Sequence, residues 1–331
     1  MMTKAEAREP DILIIGCGAI AGGYDQKAGR TSESIMSQHA LTHAGAYRKS
    51  GLTPAACVDP TDSVRQDFMA FWGVKSGFRA CSDIPADARY DIVSICTPAS
   101  LHLTSVKEAL AFSPSVIFME KPLASDLDEA AEIIDLCKAE DVRLVVNISR
   151  RWDAVLQRFI DDVQSGRCGD LRRVVGVYGK GLKNNGSHML EIIHRLTGKV
   201  VIENAIVRGY SQDKADPDIE VTAISESNVR VNLLPGDSQD FTQFECRITT
   251  SEAEITMCDG GLRWEVRRAA PHPAYPGYRM LDSAEHIAGG YLPVMENAIK
   301  MVVQGDTEND GSAQAAFEVQ SLCEEIFRKT L

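Results

Sequence analysis

A glycine-rich turn, GCGAIA at residues 16–21, follows directly after the first apolar segment of the chain, DILII at residues 11–15. The turn has the G-x-G-x-x-A form of a dinucleotide-binding fingerprint, and the helix that begins after such a turn attracts phosphate groups. The first glycine permits the tight turn, the second lets the backbone approach a pyrophosphate, and the final alanine lets helix and strand pack closely. The predicted cofactor-binding residues of this turn are Gly16, Gly18, Ala19, Ile20 and Ala21.

An aspartate, Asp59, ends the second apolar segment, TPAACVD at residues 53–59. A carboxylate at this position accepts hydrogen bonds from the adenosine ribose hydroxyls and repels a 2′-phosphate, so the sequence favours NAD over NADP. A solvated aspartate at a strand end is the alternative. The interval from Gly16 to Asp59 is about twice the usual spacing of roughly 20 residues. We interpret residues 23–38 as an insertion beside the cofactor phosphates, either a lid or an oligomer contact.

A third apolar segment, DIVSIC at residues 91–96, ends in Thr97-Pro98 and is followed by His102. Ligands of parallel α/β sheets bind beyond the carboxyl ends of the strands, so we expect this strand end to lie along the cofactor. The alternative is that Thr97-Pro98 is a plain turn and His102 an ordinary helix residue.

A fourth apolar segment, VIFM at residues 116–119, runs into Glu120-Lys121-Pro122. Hydride transfer to or from an alcohol carbon needs a group that handles the hydroxyl proton. We predict that Lys121 is this group, because burial and nearby positive charge lower the pKa of a lysine. A charged lysine that polarises a carbonyl and an exposed Glu-Lys pair are the alternatives. Glu120 is expected either to hold the nicotinamide ribose or to orient Lys121.

The second candidate for proton transfer is His188, near the start of an amphipathic helix that follows the residues NNGS. An imidazole near a helix N-terminus tends to stay neutral and able to accept a proton. A zinc site at His188, Glu191 and His194 is excluded, because positions i and i+6 lie about 240° apart on a helix. No metal is therefore predicted. Glu191 and Arg195 are expected to form an ion pair on the helix surface.

Two polar residues, Asn147 and Arg151, lie at the junction between the first and the second half of the chain. We predict that they bind polar groups of the substrate in an interdomain cleft. For Arg151 a structural salt bridge between domains is an equally good alternative.

The first half of the chain alternates apolar segments with helical patterns, as in a parallel sheet covered on both faces. After residue 150, alternating segments predict one mostly antiparallel sheet, with a loop over the proline-rich residues 268–280. Helices are predicted at residues 39–49, 101–112, 126–138, 152–164, 291–304 and 313–328. A capping box from Ser125 to Asp128 is expected to start the third of these. The pattern thus predicts an α/β nucleotide-binding domain followed by an α+β domain.

Composition and charge argue against several classes of protein. The chain has 331 residues, 44% of them hydrophobic, and a formal net charge of −12. An acidic surface disfavours nonspecific nucleic-acid binding, and no apolar run is long enough to span a membrane. The N-terminus lacks the apolar stretch of a secretory signal. Nine scattered cysteines without a C-x-x-C pair indicate reduced thiols, most of them in the core, and a cytoplasmic protein.

The motifs together resemble those of the Gfo/Idh/MocA family, which includes glucose–fructose oxidoreductase and inositol dehydrogenase. The resemblance rests on the fingerprint, DIVSICTP with His102, MEKP at residues 119–122 and the Gly-x-His turn in residues 180–198. It implies a Rossmann domain over residues 1–149, and over residues 150–331 a domain with an open, mostly antiparallel sheet that mediates oligomerisation.

The resemblance also implies roles for individual residues. Thr97, Pro98 and His102 are expected on the ribose and nicotinamide side, and His188 in acid–base work or in binding the reacting hydroxyl. The family usually has aspartate four residues before this histidine, whereas this chain has Asn184. Asparagine can hydrogen-bond a substrate but takes up no proton, so the proton chemistry is expected to fall on Lys121 and His188.

The sequence therefore predicts an NAD-dependent oxidoreductase that acts on a hydroxyl carbon of a sugar or nucleotide-sugar. The segment GGYD after the fingerprint and the NNGSH turn resemble family members linked to surface polysaccharides. A cyclitol or free-sugar dehydrogenase, a redox-assisted glycosidase and a non-catalytic dinucleotide-binding regulator are the alternatives. The second domain's sheet is expected to form a homodimer or homotetramer, and the last helix is a candidate to pack back on the first domain.

Overall fold

The computed structural model describes residues 8–28, 38–210, 214–305 and 312–330. The chain divides into two compact units. The first unit comprises residues 1–148 with residues 293–317, and the second comprises residues 149–292 with residues 318–331. Most of the insertion predicted at residues 23–38 lies outside the described residues.

The first unit is built on a six-stranded parallel sheet with strand order β3-β2-β1-β4-β5-β6. The strands are β1 (Ile12–Ile15), β2 (Ala56–Val58), β3 (Ser76–Phe78), β4 (Ile92–Ile95), β5 (Val116–Glu120) and β6 (Arg143–Asn147). Strands β1 and β4 are buried along their whole length, as expected where helices cover both faces of a sheet. The predicted Rossmann domain is thereby confirmed. The sequence analysis missed β3, because its three residues, SGF, carry no apolar run.

Of the first five helices of the chain, three begin within four residues of the predicted starts at 39, 101 and 126, whereas the helices at residues 24–28 and 62–72 were not predicted. The five helices are α1 (Tyr24–Ala28), α2 (His43–Lys49), α3 (Asp62–Trp72), α4 (His102–Leu110) and α5 (Leu127–Ala139). The predicted capping box at Ser125 is wrong: Asp126 caps α5, and its carboxylate accepts a hydrogen bond from the Glu129 N–H at 2.9 Å. An aspartate one position later fills the same capping role, since both residue types satisfy the free N–H groups of a first turn.

The second unit contains a nine-stranded sheet with strand order β14-β13-β12-β11-β7-β10-β9-β8, and β15 pairs with β13. The strands are β7 (Leu171–Tyr178), β8 (Val200–Tyr210), β9 (Pro217–Ser225), β10 (Arg230–Pro235), β11 (Glu245–Thr250), β12 (Ala253–Cys258), β13 (Arg263–Pro271), β14 (Arg279–Leu281) and β15 (Glu285–Ala288). Only β7 and β10 pair in parallel among these described strands, so the predicted mostly antiparallel sheet is confirmed.

The predicted loop at residues 268–280 is partly wrong. Strand β13 continues to Pro271, and Ala270 pairs with Met280 of β14. This hairpin is largely exposed on both faces, so its sequence shows no alternation of apolar and polar residues. Pro271 lies at the end of β13, beyond the residues that pair with β12, so the proline does not interrupt the pairing and is a poor indicator of a loop here.

Helices α6 (Ala154–Gln164) and α7 (Ser187–Thr197) pack on the sheet of the second unit, and the apolar residues between them form its core. Helix α8 (Val294–Gln304) belongs to the first unit, whereas α9 (Ser312–Lys329) contributes to both cores. All nine cysteines lie within the described residues as buried thiols, and none of them forms a disulfide there. Among the described helices, none is both long and apolar enough to cross a lipid bilayer.

The hydroxyl of Tyr178 ties β7 to β9. This fully buried group donates a hydrogen bond to the carbonyl of Ile219 at 2.9 Å and accepts one from its N–H at 2.7 Å. Tyr178→Phe should leave both groups without this partner and lower the free energy of unfolding by about 1–3 kcal/mol, measured by urea denaturation. Tyr275→Phe is the matched control, since Tyr275 is 63% exposed. Equal stabilities of the two variants would contradict the assignment.

Candidate functional site

The glycine turn after β1 has the shape that a dinucleotide requires. Gly16 has a φ of +88°, and a Cβ on it would lie 2.9 Å from the carbonyl carbon and oxygen of Cys96. No atom lies within 4 Å of the corresponding position on Gly18, which is exposed, as is Ala19. Ala21 is buried under the turn. The turn is therefore tight against β4 and open above Gly18, which fits close approach by a pyrophosphate.

Asp59 lies beside this turn, as the sequence analysis predicted for a ribose-binding residue. Its Oδ2 accepts a hydrogen bond from the Cys17 N–H at 3.0 Å, and its Oδ1 accepts one from the Thr61 N–H at 2.9 Å. The side chain is partly exposed. The carboxylate is thus anchored to the backbone of the turn at the carboxyl end of β2.

His102 is fully buried and bridges two turns at the edge of the sheet. Its Nε2 lies 3.0 Å from the carbonyl oxygen of Thr97, and its Nδ1 lies 3.3 Å from that of Leu123. The Thr97 hydroxyl lies 3.2 Å from the hydroxyl of Ser105, while Pro98 is exposed. No part of the imidazole is exposed, and its contacts link the turns after β4 and β5. The predicted contact of His102 with the cofactor stays a prediction.

Glu120 is held by two hydrogen bonds to the same oxygen. Its Oε1 lies 3.0 Å from Nε2 of His43 and 2.7 Å from the Asn147 amide nitrogen, which donates to it. Burial by itself raises the pKa of Glu120, but these two hydrogen bonds and the electrostatic interactions with His43 and Lys121 hold it below its usual value. Glu120 is therefore an ionised carboxylate. Asn147, predicted to bind substrate, is buried and orients Glu120 in this structure.

Lys121 directly follows β5 and is partly exposed, and the peptide bond between it and Pro122 is cis. It shares the carboxyl edge of the sheet with the glycine turn, Asp59, Thr97 and Glu120. The structure therefore brings the predicted cofactor residues of the first unit together on one edge.

The sequence analysis missed two residues of this edge, His43 and Asp25. Asp25 accepts hydrogen bonds from the N–H groups of Leu41 and Thr42 at 3.0 and 3.1 Å and from the Thr42 hydroxyl at 2.5 Å. These contacts join Asp25 of α1 to the residues that directly precede α2. No local sequence pattern predicts the contacts of His43 and Asp25, because their partners are distant in sequence or separated from them by the insertion.

The turn before His188 in the second unit is held by two aspartates. Asp216 accepts hydrogen bonds from the N–H groups of Lys183 and Asn184 at 2.7 and 2.9 Å, and Asp218 accepts one from Gly181 at 2.8 Å. The sequence analysis missed this pair, although the spacing DPD before a strand is a usable signal. His188 is the second residue of α7 and is partly exposed, and Asn184 is exposed.

One turn further along α7, the expected ion pair of Glu191 and Arg195 forms, but it is buried and not on the helix surface. Glu191 is fully buried, and burial raises the pKa of its carboxyl group. It lies 3.3 Å from Arg151 and 3.7 Å from Arg195, so these cations compensate the buried carboxylate. Arg151 thus has an ion-pair partner within its own unit, and its substrate role stays a prediction.

His194, the third residue of the zinc site that the sequence analysis excluded, also has a side-chain partner. His194 Nε2 lies 2.9 Å from the carboxylate of Glu318. Within the part of the chain that the structure describes, no group of three or more His, Cys, Asp or Glu side chains is arranged to hold a metal ion.

Residues 11–148, from the start of β1 to just beyond β6, match the family GFO_IDH_MocA, described as an oxidoreductase family with an NAD-binding Rossmann fold. This segment is similar to the NAD-binding domain of that oxidoreductase family. The resemblance inferred from the motifs is thereby confirmed over this segment, and with it the prediction of a dinucleotide-binding domain of Rossmann fold.

Among curated proteins, the chain is 29% identical to the rhizopine catabolism protein MocA of Rhizobium meliloti over 130 residues, which are 39% of this chain and 40% of that protein. The segments aligned with the matching curated relatives make up 24–40% of the relatives' own length.

Solved structures match over nearly the whole chain. One is the WlbA dehydrogenase from Bordetella pertussis in complex with NADH and UDP-GlcNAcA, with a TM-score of 0.76, 18% identity and coverage of 98% of this chain and 96% of that one. Another is KijD10, a 3-ketoreductase from Actinomadura kijaniata in complex with NADP, with a TM-score of 0.71, 15% identity and 98% coverage of both chains. At these identities the likeness shows the fold of both domains.

Gly16→Ala should destabilise the first unit, because the new methyl group meets the backbone of Cys96 while the residue keeps a left-handed conformation. Gly51→Ala is the control: its φ is +78°, but the space around it is open. Left-handed strain of roughly 1–2 kcal/mol applies to both variants, and overpacking of about 1–3 kcal/mol only to Gly16→Ala. Denaturant unfolding measures the difference, and equal losses would contradict the tight approach to β4.

Proposed function

We propose that the protein is an NAD(P)-dependent oxidoreductase that transfers hydride between nicotinamide and a hydroxyl carbon of a sugar or nucleotide-sugar. The observation that carries the proposal is the arrangement at the carboxyl edge of the first sheet. A dinucleotide-binding turn lies there with Lys121, which directly follows an ionised carboxylate, Glu120. The family of residues 11–148 supports the reaction class.

The cofactor residues in this proposal are those of the glycine turn and the neighbouring strand ends. Gly16, Gly18, Ala19, Ile20 and Ala21 take the pyrophosphate, and a bound nicotinamide supplies the site that accepts or releases hydride. Asp59 receives the adenosine ribose, and its negative charge favours NAD over NADP. Relatives of this fold have been crystallised with either cofactor, so the preference rests on Asp59.

Lys121 and His188 handle the proton of the reacting hydroxyl in this proposal. A lysine next to an ionised carboxylate can exchange a proton with a substrate oxygen or stabilise negative charge on it. His188 is the second residue of α7 and is partly exposed, and it serves as the second proton-handling group in this proposal. Asn184, exposed in the preceding turn, and Arg151 are assigned to polar groups of the substrate.

A sugar-like substrate is supported by the nature of the relatives. MocA is named for rhizopine catabolism, and WlbA was crystallised with a nucleotide-sugar.

We also propose a cytoplasmic homo-oligomer that uses the second sheet. Its face carries a groove of about 380 Å³, lined by Arg173, Val175, Val177, Glu245, Arg247 and Thr256. The net charge of −12 disfavours nucleic acid as a partner.

Purified protein assayed with NAD or NADP and a panel of sugars, cyclitols and nucleotide-sugars should produce NAD(P)H with one class of substrate. Lys121→Ala should lower kcat by about 10²–10⁴-fold while cofactor binding is retained, because the lost group acts on the proton. Lys107→Ala is the control, since Lys107 forms a surface ion pair with Glu132. Wild-type rates for Lys121→Ala would overturn the mechanism.

The same assay separates the alternatives. A redox-assisted glycosidase returns its cofactor to the oxidised state in every turnover, so it would cleave glycosides without net NADH formation. A regulator would bind the dinucleotide and turn over none of the panel.

The cofactor preference is tested with Asp59→Asn, which removes the charge but keeps an oxygen that can accept the hydrogen bond from Cys17. The ratio of NADPH to NADH affinity should rise about tenfold, equivalent to about 1.4 kcal/mol, because repulsion of the 2′-phosphate is lost. Fluorescence titration with both cofactors measures it. An unchanged ratio would show that Asp59 does not set the preference.

A further inference from the structure

His43 is a buried histidine at the start of α2 that the proposed mechanism does not use. Its side chain has no exposed surface, and its ring packs against Phe118 of β5 with 4.6 Å between the ring centroids. A polar ring in such a position needs a hydrogen-bond partner, because burying it without one is unfavourable.

That partner is Glu120, whose Oε1 lies 3.0 Å from Nε2 of His43. An ionised carboxylate can only accept hydrogen bonds, so Nε2 of His43 carries the hydrogen. The Asn147 amide donates to the same oxygen at 2.7 Å. Two donors from different elements, α2 and β6, therefore orient the carboxylate and leave its other oxygen, Oε2, for a ligand.

The position of His43 is itself fixed from the glycine-turn side of the sheet. Thr42 caps α2, because its hydroxyl accepts a hydrogen bond from the Gly45 N–H at 3.1 Å. The same hydroxyl donates to Asp25 of α1, at 2.5 Å. This series of contacts links the first helix after the fingerprint to His43 and through it to Glu120.

We propose that His43 is a positioning residue, which holds Glu120 oriented and ionised beside Lys121 and so sets the rate of the proton-transfer step. The inference rests on the proposed function for its effect on turnover, but the coupling between His43 and Glu120 is independent of any substrate. The ionisable neighbours of Glu120 are His43 of α2, Lys121 directly after β5 and Cys96 directly after β4.

The kinetic test compares two substitutions of His43. His43→Gln places an amide nitrogen near the position of the imidazole Nε2 and keeps the donor, whereas His43→Leu fills the space without one. We expect His43→Leu to lower kcat by about 10- to 100-fold, as for a misplaced catalytic group, with little change in KM. His43→Gln should recover most of the rate.

Tyr47→Phe is the matched control for a merely structural effect. Tyr47 lies one turn further along α2, is equally buried, and hydrogen-bonds the Ser94 hydroxyl at 2.8 Å. The Tyr47→Phe variant should have a lower free energy of unfolding and an unchanged kcat. If His43→Gln and His43→Leu are equally slow, or if Tyr47→Phe is as slow as they are, the positioning role is overturned.

A second measurement does not depend on turnover. Carbon-13 NMR of labelled glutamate carboxyl groups, assigned with Glu120→Gln, gives the pKa of Glu120 in each variant. His43→Leu should raise this pKa by about one unit or more, because a donor to the charged form is lost, and His43→Gln should not. An unchanged pKa in His43→Leu overturns the inference. A raised pKa in a protein that oxidises no substrate of the panel overturns the proposed function and leaves the coupling standing.

Discussion

The parallel register of the first sheet is the constraint on which the site of this unit depends. Ile95 of β4 pairs with Met119 of β5, and Glu120 of β5 pairs with Asn147 of β6. In a parallel sheet the residues after each strand emerge at the same edge, so this register places Thr97, Lys121 and the end of β6 side by side. A shift of one residue would turn Glu120 and Asn147 to opposite faces of their strands.

Polar groups at this edge, buried or partly exposed, are paired in a way that also fixes the turns. Asp59 binds the backbone of the glycine turn, His102 reaches two carbonyl groups, and Glu120 accepts two hydrogen bonds on one oxygen. In a water-poor interior, each such group is costly to leave without a partner. The polar residues of the edge therefore hold one another in place before any ligand is bound.

In the second unit, hydrogen bonds from the backbone to two carboxylates position the predicted site residues. A π-helical turn, Leu182–Gly186, precedes α7, and the carboxylates of Asp216 and Asp218 accept hydrogen bonds from the N–H groups of Gly181, Lys183 and Asn184. Tyr178 supports the same region, since a Cβ on Gly186 would lie 3.0 Å from its ring. Backbone contacts of this kind explain how a glycine- and asparagine-rich turn can present His188 in a defined first helical turn.

Sequence alone determined the fold class, the glycine turn and the strand ends that carry Asp59, Thr97 and Lys121, because short-range periodicity and turn chemistry encode these features. It also located His188 in the first turn of a helix. It misjudged features that depend on contacts between distant segments, namely the burial of Glu191 and the pairing of the proline-rich hairpin, and it did not show the hydrogen bond from Asn147 to Glu120. Only the tertiary structure brought His43 to Glu120, since a hydrogen bond across 77 residues leaves no periodic trace in the chain.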